Sequence, residues 1–469
     1  MQITISKADV IWSYLGTIMT LSSQVIMLPL VVYFLDGDML GLWYVFVSLG
    51  AVANLFDFGF TITFSRNIAY CWSGAKSLKK TGADFVENSE PDYVLMKKII
   101  NACKLIYFII SILVLMLLLG VGTYYINYIS RDIKDSTHIW SWIVYAVSVF
   151  LNIYYSYYDS FLKGVGAIKD SNRNKVIARS IHLILMTILL LSGFGILGAS
   201  IAYLSYGFIF RYLGKQKFYK YKGIGENLNK VKDKFNLHDY KNLFSVIWHN
   251  AWREGFIQVS IYCCDQVSII ICSLYLTLTE TGIYSLCVQI ATAISTIAAV
   301  MYSTYQPALQ VAYVNNDKIR MRTTMATIVV MYVLTFLGGL ILVVLVGIPL
   351  LSLIKPEMTI SITLLLAVSI NQFILKFRNC FTSYFSCTNR IIYTKAFVFS
   401  ALLCLVLSFI FMGILHYGVW GLVAAQIISQ TIYNLWYWPY KANKELNLSF
   451  CSTVNVGVKT LVQRIKIRK

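Results

Sequence analysis

Twelve long apolar runs constrain this chain more than any other feature. Crossing about 30 Å of hydrocarbon takes about 17 to 25 apolar residues in a helix. Runs of that length or longer lie at approximately Ile11–Phe34, Leu40–Phe64, Ile99–Tyr125, Ile139–Leu162, Ile177–Gly193, Ile196–Leu213, Leu243–Ser273, Thr281–Ala312, Thr323–Leu351, Thr359–Ser386, Ile391–Leu415 and Val419–Tyr440. The fifth and sixth are parted only at Phe194 and Gly195. A chain that is 58% hydrophobic and only 13% charged lies outside the soluble globular range of about 25% charged. Within lipid a crossing backbone must satisfy its own hydrogen bonds, which leaves helices as the natural solution for such runs. The expected fold is an all-α polytopic membrane protein of about 12 transmembrane helices.

The net charge of +19 would suit nucleic acid, but its residues sit in alternate connections between apolar runs. One set holds Arg66, Lys76, Lys79, Lys80, Lys97 and Lys98, then Lys163 to Lys175, then the lysine-dense Arg211 to Lys241, then Lys318, Arg320 and Arg322, then Arg390 and the tail. The opposite set offers Arg131, Lys134 and Lys355. This bias is the positive-inside pattern, so membrane lipids rather than nucleic acid are the expected partners, with both termini cytoplasmic. The first run is too long for a signal-peptide core and no small-residue cleavage site follows it, so it is expected to remain as a helix. Many tryptophans, Trp12, Trp43, Trp140, Trp142, Trp248, Trp420, Trp436 and Trp438 among them, fall near the ends of runs, where a ring suits the headgroup level.

The basic stretch divides the chain into two pseudo-repeated halves. "IWSYLGTIMT" at Ile11 and "IWHNAWREGF" at Ile247 open each half, followed by "GLWYVFVSLG" at Gly41 and "GIYSLCVQIA" at Gly282. The expected organisation is a six-helix lobe over 1–213, a basic cytoplasmic linker over 214–242, a second six-helix lobe over 243–440 and a basic amphipathic tail over 441–469. In that tail Val454, Val458, Leu461, Val462 and Ile465 share a helical face, which predicts a helix on the anionic cytoplasmic leaflet. A protein-docking tail is the alternative.

Polar residues inside spans carry the functional signal, because charges there usually face a bundle interior or a wet cavity. In the seventh run Asn250, Glu254, Gln258, Tyr262 and Asp265 follow steps of four, four, four and three, with Arg253 at the edge of the face. The tenth run carries Asn371, Arg378, Thr382 and Ser386 on a comparable line, the first Ser13, Thr17, Thr20 and Gln24, and the fourth Ser148, Asn152, Ser156, Asp159 and Lys163. Such stripes either line a lumen or join helices by hydrogen bonds. Asp57 and Arg66 lie in and at the end of the second run, where both border a cavity mouth or form a structural helix-end pair.

No chemistry is legible beyond this. Asp57-Phe58-Gly59 matches the magnesium-binding tripeptide of protein kinases, but no HRD occurs and the only G-x-G-x-x-G, at Gly193, follows it. No phosphate-binding G-x-x-x-x-G-K-[ST] occurs either, which disfavours an ATP-driven pump. Ten cysteines and five histidines are scattered without metal-ligand spacing, so neither a cofactor nor a metal is expected.

"LGLW" at Leu40, "FDFGF" at Phe56, "SRNIA" at Ser65 and "TGIYS" at Thr281, with twelve spans and a basic central loop, together resemble the bacterial O-antigen and polysaccharide flippases. These belong to the superfamily that also holds multidrug and toxic compound extruders. The resemblance implies two six-helix lobes and alternating-access transfer of an undecaprenyl-diphosphate-linked oligosaccharide across the bacterial inner membrane, by a protein that is not an enzyme. It makes Asp57, Gly59 and Arg66 a shared feature. Arg253 and Arg378 suit capture of the diphosphate, with Gln258 and Asn371 on the polar path, and Glu254 or Asp265 would serve a coupling ion, H+ or Na+. A glycan polymerase is the implied downstream partner. The alternatives are a multidrug exporter of the same superfamily and a membrane-embedded glycan polymerase, which would be expected to carry a large external loop. A topology reporter fused within Lys220 to Lys234 is expected to give the cytoplasmic signal, and a periplasmic signal overturns the orientation.

Overall fold

The computed structural model describes residues 3–35, 37–84, 90–131, 136–231, 237–276, 278–349 and 361–466. Lys134 and Lys355, two of the three basic residues of the sparse connections, and the side chain of Gln24 lie outside the described residues. Helix and connection are the only backbone classes among the described residues, and the chain divides into two compact units, Ile3–Lys79 with Asn88–Ala251 and Lys80–Glu87 with Trp252–Lys469.

The first unit holds α1 (Lys7–Phe34), α2 (Gly37–Asn54), α3 (Phe60–Trp72), α4 (Tyr93–Leu117), α5 (Thr123–Ile129), α6 (Thr137–Tyr155), α7 (Tyr157–Gly164), α8 (Ile168–Leu191), α9 (Gly195–Lys220) and α10 (Ile224–Lys230), and receives the start of α11 (Leu237–Tyr275). The second holds the rest of α11, then α12 (Leu278–Ala298), α13 (Val300–Val314), α14 (Lys318–Leu342), α15 (Ile362–Cys387), α16 (Thr394–Phe409), α17 (Gly418–Thr431), α18 (Asn434–Glu445) and α19 (Phe450–Lys466). Joining pieces parted by a short break gives twelve spans: α1, α2 with α3, α4 with α5, α6 with α7, α8, α9, α11, α12 with α13, α14, α15, α16, and α17 with α18. Eight helical stretches among the described residues are long and apolar enough to cross a membrane by length and composition alone. The fifth and sixth spans do separate at Ser192–Phe194, where Gly193 takes a positive φ of 81°, and Gly195, the first residue of α9, takes one of 51°.

The two halves repeat one another in detail. Asp92 caps α4 by accepting from Leu95 N at 2.8 Å, and Asp317 caps α14 by accepting from Arg320 N at 2.9 Å. Each cap starts a helix of 25 residues. Each helix then runs into a five-residue π turn ending in glycine, Leu118–Gly122 and Val343–Gly347. The second span of each half is also interrupted, around Leu55–Gly59 and at Ala299.

The first of those interruptions gives Asp57 a structural task. Phe58 and Gly59 take positive φ of 45° and 72°, which ends α2 and restarts the chain as α3. A helix start leaves N–H groups without intrahelical acceptors. Gly59 has no side chain to cap them, and Asp57 accepts from Thr61 N at 3.3 Å and Thr61 Oγ1 at 2.9 Å. Tyr107 Oη, on α4, donates to the same carboxylate at 2.6 Å. The tripeptide that resembles a metal-binding signature is a capped helix break.

Close helix approach depends on glycine. A Cβ on Gly164 would lie 2.7 Å from Ser65 O and 2.8 Å from Ile68 Cβ, so α7 packs onto α3 only without one. In the second unit a Cβ on Gly457 would lie 2.6 Å from both Ala326 O and Val330 Cγ2, which seats α19 along α14. The tail therefore buries one side of its helix on a membrane span. Tryptophan placement departs from the sequence expectation: Trp43, Trp142 and Trp438 are buried, whereas Trp140, Trp248, Trp420 and Trp436 are exposed. Nearness to a helix end does not say which way the ring turns.

Gly164→Ala is expected to destabilise the purified protein by about 1–3 kcal/mol through overpacking. Gly41→Ala, where nothing lies within 4 Å, should be neutral or stabilising by up to about 1 kcal/mol. Asp57→Ala should cost about 1 kcal/mol and Asp57→Asn much less, since asparagine also caps helices. Thermal unfolding in detergent measures all three.

Candidate functional site

Serine and threonine account for much of the polar striping, and most of them bond to their own helix. Ser13 Oγ donates to Asp9 O, Thr20 Oγ1 to Gly16 O, Ser148 Oγ to Val144 O and Ser260 Oγ to Phe256 O, each at 2.7–2.8 Å and four residues back. A hydroxyl satisfied in this way needs no lumen. The informative groups are the amides, carboxylates and guanidinium groups.

Those converge in the second unit, along α15. Two carboxylates of α11 meet it in antiparallel order: Ser386 Oγ donates to Glu254 Oε1 at 3.0 Å, and Gln372 Nε2 donates to Asp265 Oδ1 at 3.0 Å. Tyr393 Oη reaches the same Glu254 oxygen at 3.4 Å. On the side facing α17, Asn371 Nδ2 donates to Gln426 Oε1 at 3.1 Å, and Gln426 Nε2 donates to the backbone oxygen of Cys264 at 3.1 Å. Arg378 donates from Nη1 to Gln430 Oε1, and its guanidinium lies 3.9 Å from the Phe397 ring centroid. Asn434 extends the line, donating to Gln430 Oε1 at 3.2 Å and Ser400 Oγ at 2.7 Å while accepting from Trp438 Nε1 at 2.9 Å.

Arg378 is the distinctive member. It is 1% exposed, its acceptor is a neutral amide, and among the described residues no carboxylate forms an ion pair with it. Its Nε and the side-chain oxygens of Asn371, Gln372 and Asn379 are buried without hydrogen-bond partners among the described residues. Along α15 one cationic donor and three amide oxygens thus lack a partner among the described residues, the oxygens being suited to a donor group. Asp265 of α11 acts on this guanidinium at longer range without pairing with it directly, and a buried charge without a direct partner is costly, so the guanidinium keeps donor capacity for an anion.

The other predicted residues fall into separate places. Along α11 the stripe turns by about 40° per four residues. Exposure follows the turn: Asn250 and Glu254 are buried, Asp265 half-buried, and Gln258 and Tyr262 exposed. Arg253 is half-buried with its guanidinium 4.9 Å from the Trp252 ring centroid. Arg66 is fully buried in α3 of the first unit, the unit that also holds the Asp57 cap. Helix α15 itself carries no acidic residue, and Asn371, Gln372, Arg378 and Ser386 make up the polar line it presents to its neighbours.

The first unit has its own charged cluster, which the fourth-run stripe indicated. Asp159 Oδ2 pairs with Lys163 Nζ at 2.8 Å and Lys175 Nζ at 3.3 Å, and Ser171 Oγ donates to its other oxygen. Lys163 is therefore held by a carboxylate rather than reaching only for headgroups. Among the described residues no three His, Cys, Asp or Glu side chains gather as a metal site. Sequence reasoning missed Gln426, Gln430 and Asn434. Their signal was present as steps of four along the last span, ending at Trp438.

No protein-family model matches the chain, and no curated protein sequence matches it. Solved structures do. An outward-facing multidrug resistance MATE family transporter of the MOP superfamily aligns over 94% of this chain and 96% of its own, with TM-score 0.69 and 14% identity. A MATE protein in a straight conformation aligns over the same shares with TM-score 0.68 and 14% identity. A MOP superfamily transporter from Pyrococcus furiosus, described by a reversed polarity of its binding pocket that suggests a different function, covers 95% of this chain and 98% of its own, with TM-score 0.65 and 12% identity. Across 94% of its length, this chain has the fold of the MOP superfamily transporters.

Proposed function

We propose that this protein is a flippase that moves an undecaprenyl-diphosphate-linked oligosaccharide repeat unit, of O-antigen, capsule or a related glycan, across the bacterial inner membrane by alternating access. The observation that carries the reading is Arg378, a buried guanidinium whose acceptor is an amide rather than a carboxylate. A diphosphate would supply a directly paired negative charge, and arginine offers it paired donors. The amides along the same helices, Asn371, Gln372, Gln426, Gln430 and Asn434, both donate and accept, as sugar hydroxyls do. Each hydroxyl left unsatisfied in hydrocarbon costs several kcal/mol, so amides of this kind suit a sugar chain. In this reading Arg253 assists capture, Gln258 and Asn371 contact the glycan, and Asp57 and Arg66 shape the entry. Glu254 or Asp265 takes the coupling ion, H+ or Na+, the termini are cytoplasmic, and the cargo passes unaltered to a glycan polymerase.

The second reading is export of a cationic drug. It is favoured by the fold neighbours described as MATE multidrug transporters and by the carboxylates of Glu254 and Asp265 in the same cluster. One experiment separates the two. Deleting the gene should leave lipid-linked repeat units on the cytoplasmic face, and complementation by Arg378→Gln should restore little export while Arg378→Lys restores part of it, both being inserted normally. Unchanged glycan export with heightened sensitivity to cationic drugs overturns the flippase reading in favour of the second.

A further inference from the structure

A groove of about 670 Å³ opens on the second unit where the last span ends and the tail helix begins. That volume lies within the range of about 300–1,000 Å³ that ligand pockets occupy. Its walls are Phe377 of α15, Leu435, Trp436, Pro439 and Tyr440 of α18, and Phe450 at the start of α19. Asn443, Lys444 and Ser449 mark its polar end. Asn443 is already occupied, accepting from Thr453 Oγ1 at 3.2 Å, and Ser449 N donates to Ser452 Oγ at 2.6 Å in a cap of α19. Lys444 is exposed, with its ammonium 5.8 Å from the Tyr440 ring centroid. The groove is thus an apolar, aromatic trough with one cation at its rim.

We infer that this groove seats an anionic phospholipid of the surrounding bilayer, its acyl chain along the aromatic trough and its phosphate at Lys444. Charge favours this occupant. The only carboxylate of α18, Glu445, is tied to Arg390, whose Nη1 donates to it at 3.3 Å, so Lys441 and Lys444 give this end of the helix a net positive charge. The trough also continues into an apolar stripe: Phe450, Val454, Val458 and Val462 recur every four residues along α19, all exposed, while Thr453 and Gly457 are buried. A helix seated on a membrane span, with apolar residues outward and the exposed Lys459 among them, is suited to the boundary between acyl chains and headgroups. Trp436 and Tyr440 have the amphipathic character that this level selects. The inference needs a membrane-spanning chain and does not rest on the glycan reading.

Trp436 provides the test. The full-length protein is placed in nanodiscs containing either phosphatidylglycerol or phosphatidylcholine with brominated acyl chains at equal mole fraction, and the fluorescence lost on Trp436→Phe is taken as the signal of the groove. Brominated phosphatidylglycerol should quench that signal with an apparent preference of about fivefold over phosphatidylcholine, as expected for one lysine near a lipid surface. Lys444→Glu, an exposed change checked for folding by size exclusion, should abolish the preference while leaving quenching by phosphatidylcholine in place. Equal quenching by both lipids in the unmodified protein, or no quenching by either, overturns the inference. So does displacement of bound phosphatidylglycerol by one equivalent of a polyisoprenyl phosphate per protein, which would assign the groove to an isoprenoid instead.

Discussion

Hydrocarbon offers no hydrogen bonds, and this single constraint accounts for most of the polar detail in the chain. Every backbone or side-chain polar group inside a span must find its partner within the protein. Hydroxyls answer locally, folding back onto the carbonyl four residues earlier, as Ser13, Thr20 and Ser148 do. Helix breaks demand more. The interruption at Phe58 and Gly59 exposes N–H groups that a carboxylate has to receive, and Asp57 is placed there with Tyr107 as a second donor to hold it. Amides are the most demanding, since each has both donors and an acceptor to satisfy. Gln426 meets that demand by reaching Asn371, Tyr284 and the backbone of Cys264 at once.

Against that background, incomplete satisfaction is informative. Buried atoms without a partner among the described residues occur in both units, Arg179 Nε, the His182 nitrogens and the Ser160 and Ser200 hydroxyls in the first, and Arg378 Nε with the side-chain oxygens of Asn371, Gln372 and Asn379 in the second. Structural ion pairing is available to this chain, as Asp159 with Lys163 and Lys175 shows in the first unit. In the second unit the arginine instead faces an amide and the ring of Phe397. The same side-chain chemistry is thus used in two ways: a closed ion cluster in the first unit, and in the second a buried arginine bonded to an amide.

The spans were legible because their length is set by the bilayer and not by the protein, and the division at Phe194 and Gly195 was legible because glycine supplies the positive φ of the turn. What was not legible was direction around each helix. Asn250, Glu254, Gln258 and Tyr262 look like one stripe in sequence, yet a step of four overshoots the helical repeat, and the later members turn outward. Tryptophans near span ends divided between core and surface for the same reason. Asp57 was conspicuous as a charge, but its capping role needed the backbone angles of the two residues after it. Gln426, Gln430 and Asn434 went unnoticed because uncharged amides among apolar residues attract less attention than an arginine does, although one of them, Gln430, is its acceptor.

The matching π turns bear on the history of the chain. A π turn accommodates one residue more than an α-helical turn, so each behaves like a single-residue insertion absorbed without disturbing the helix on either side. Both halves carry it at the same place, 25 residues into the third span after an aspartate cap. Two independent insertions at one structural address are less economical than one insertion copied by gene duplication. The π turn at Ile410–Ile414 of the eleventh span has no counterpart in the uninterrupted α8, so the two halves also carry a difference that no shared copy accounts for.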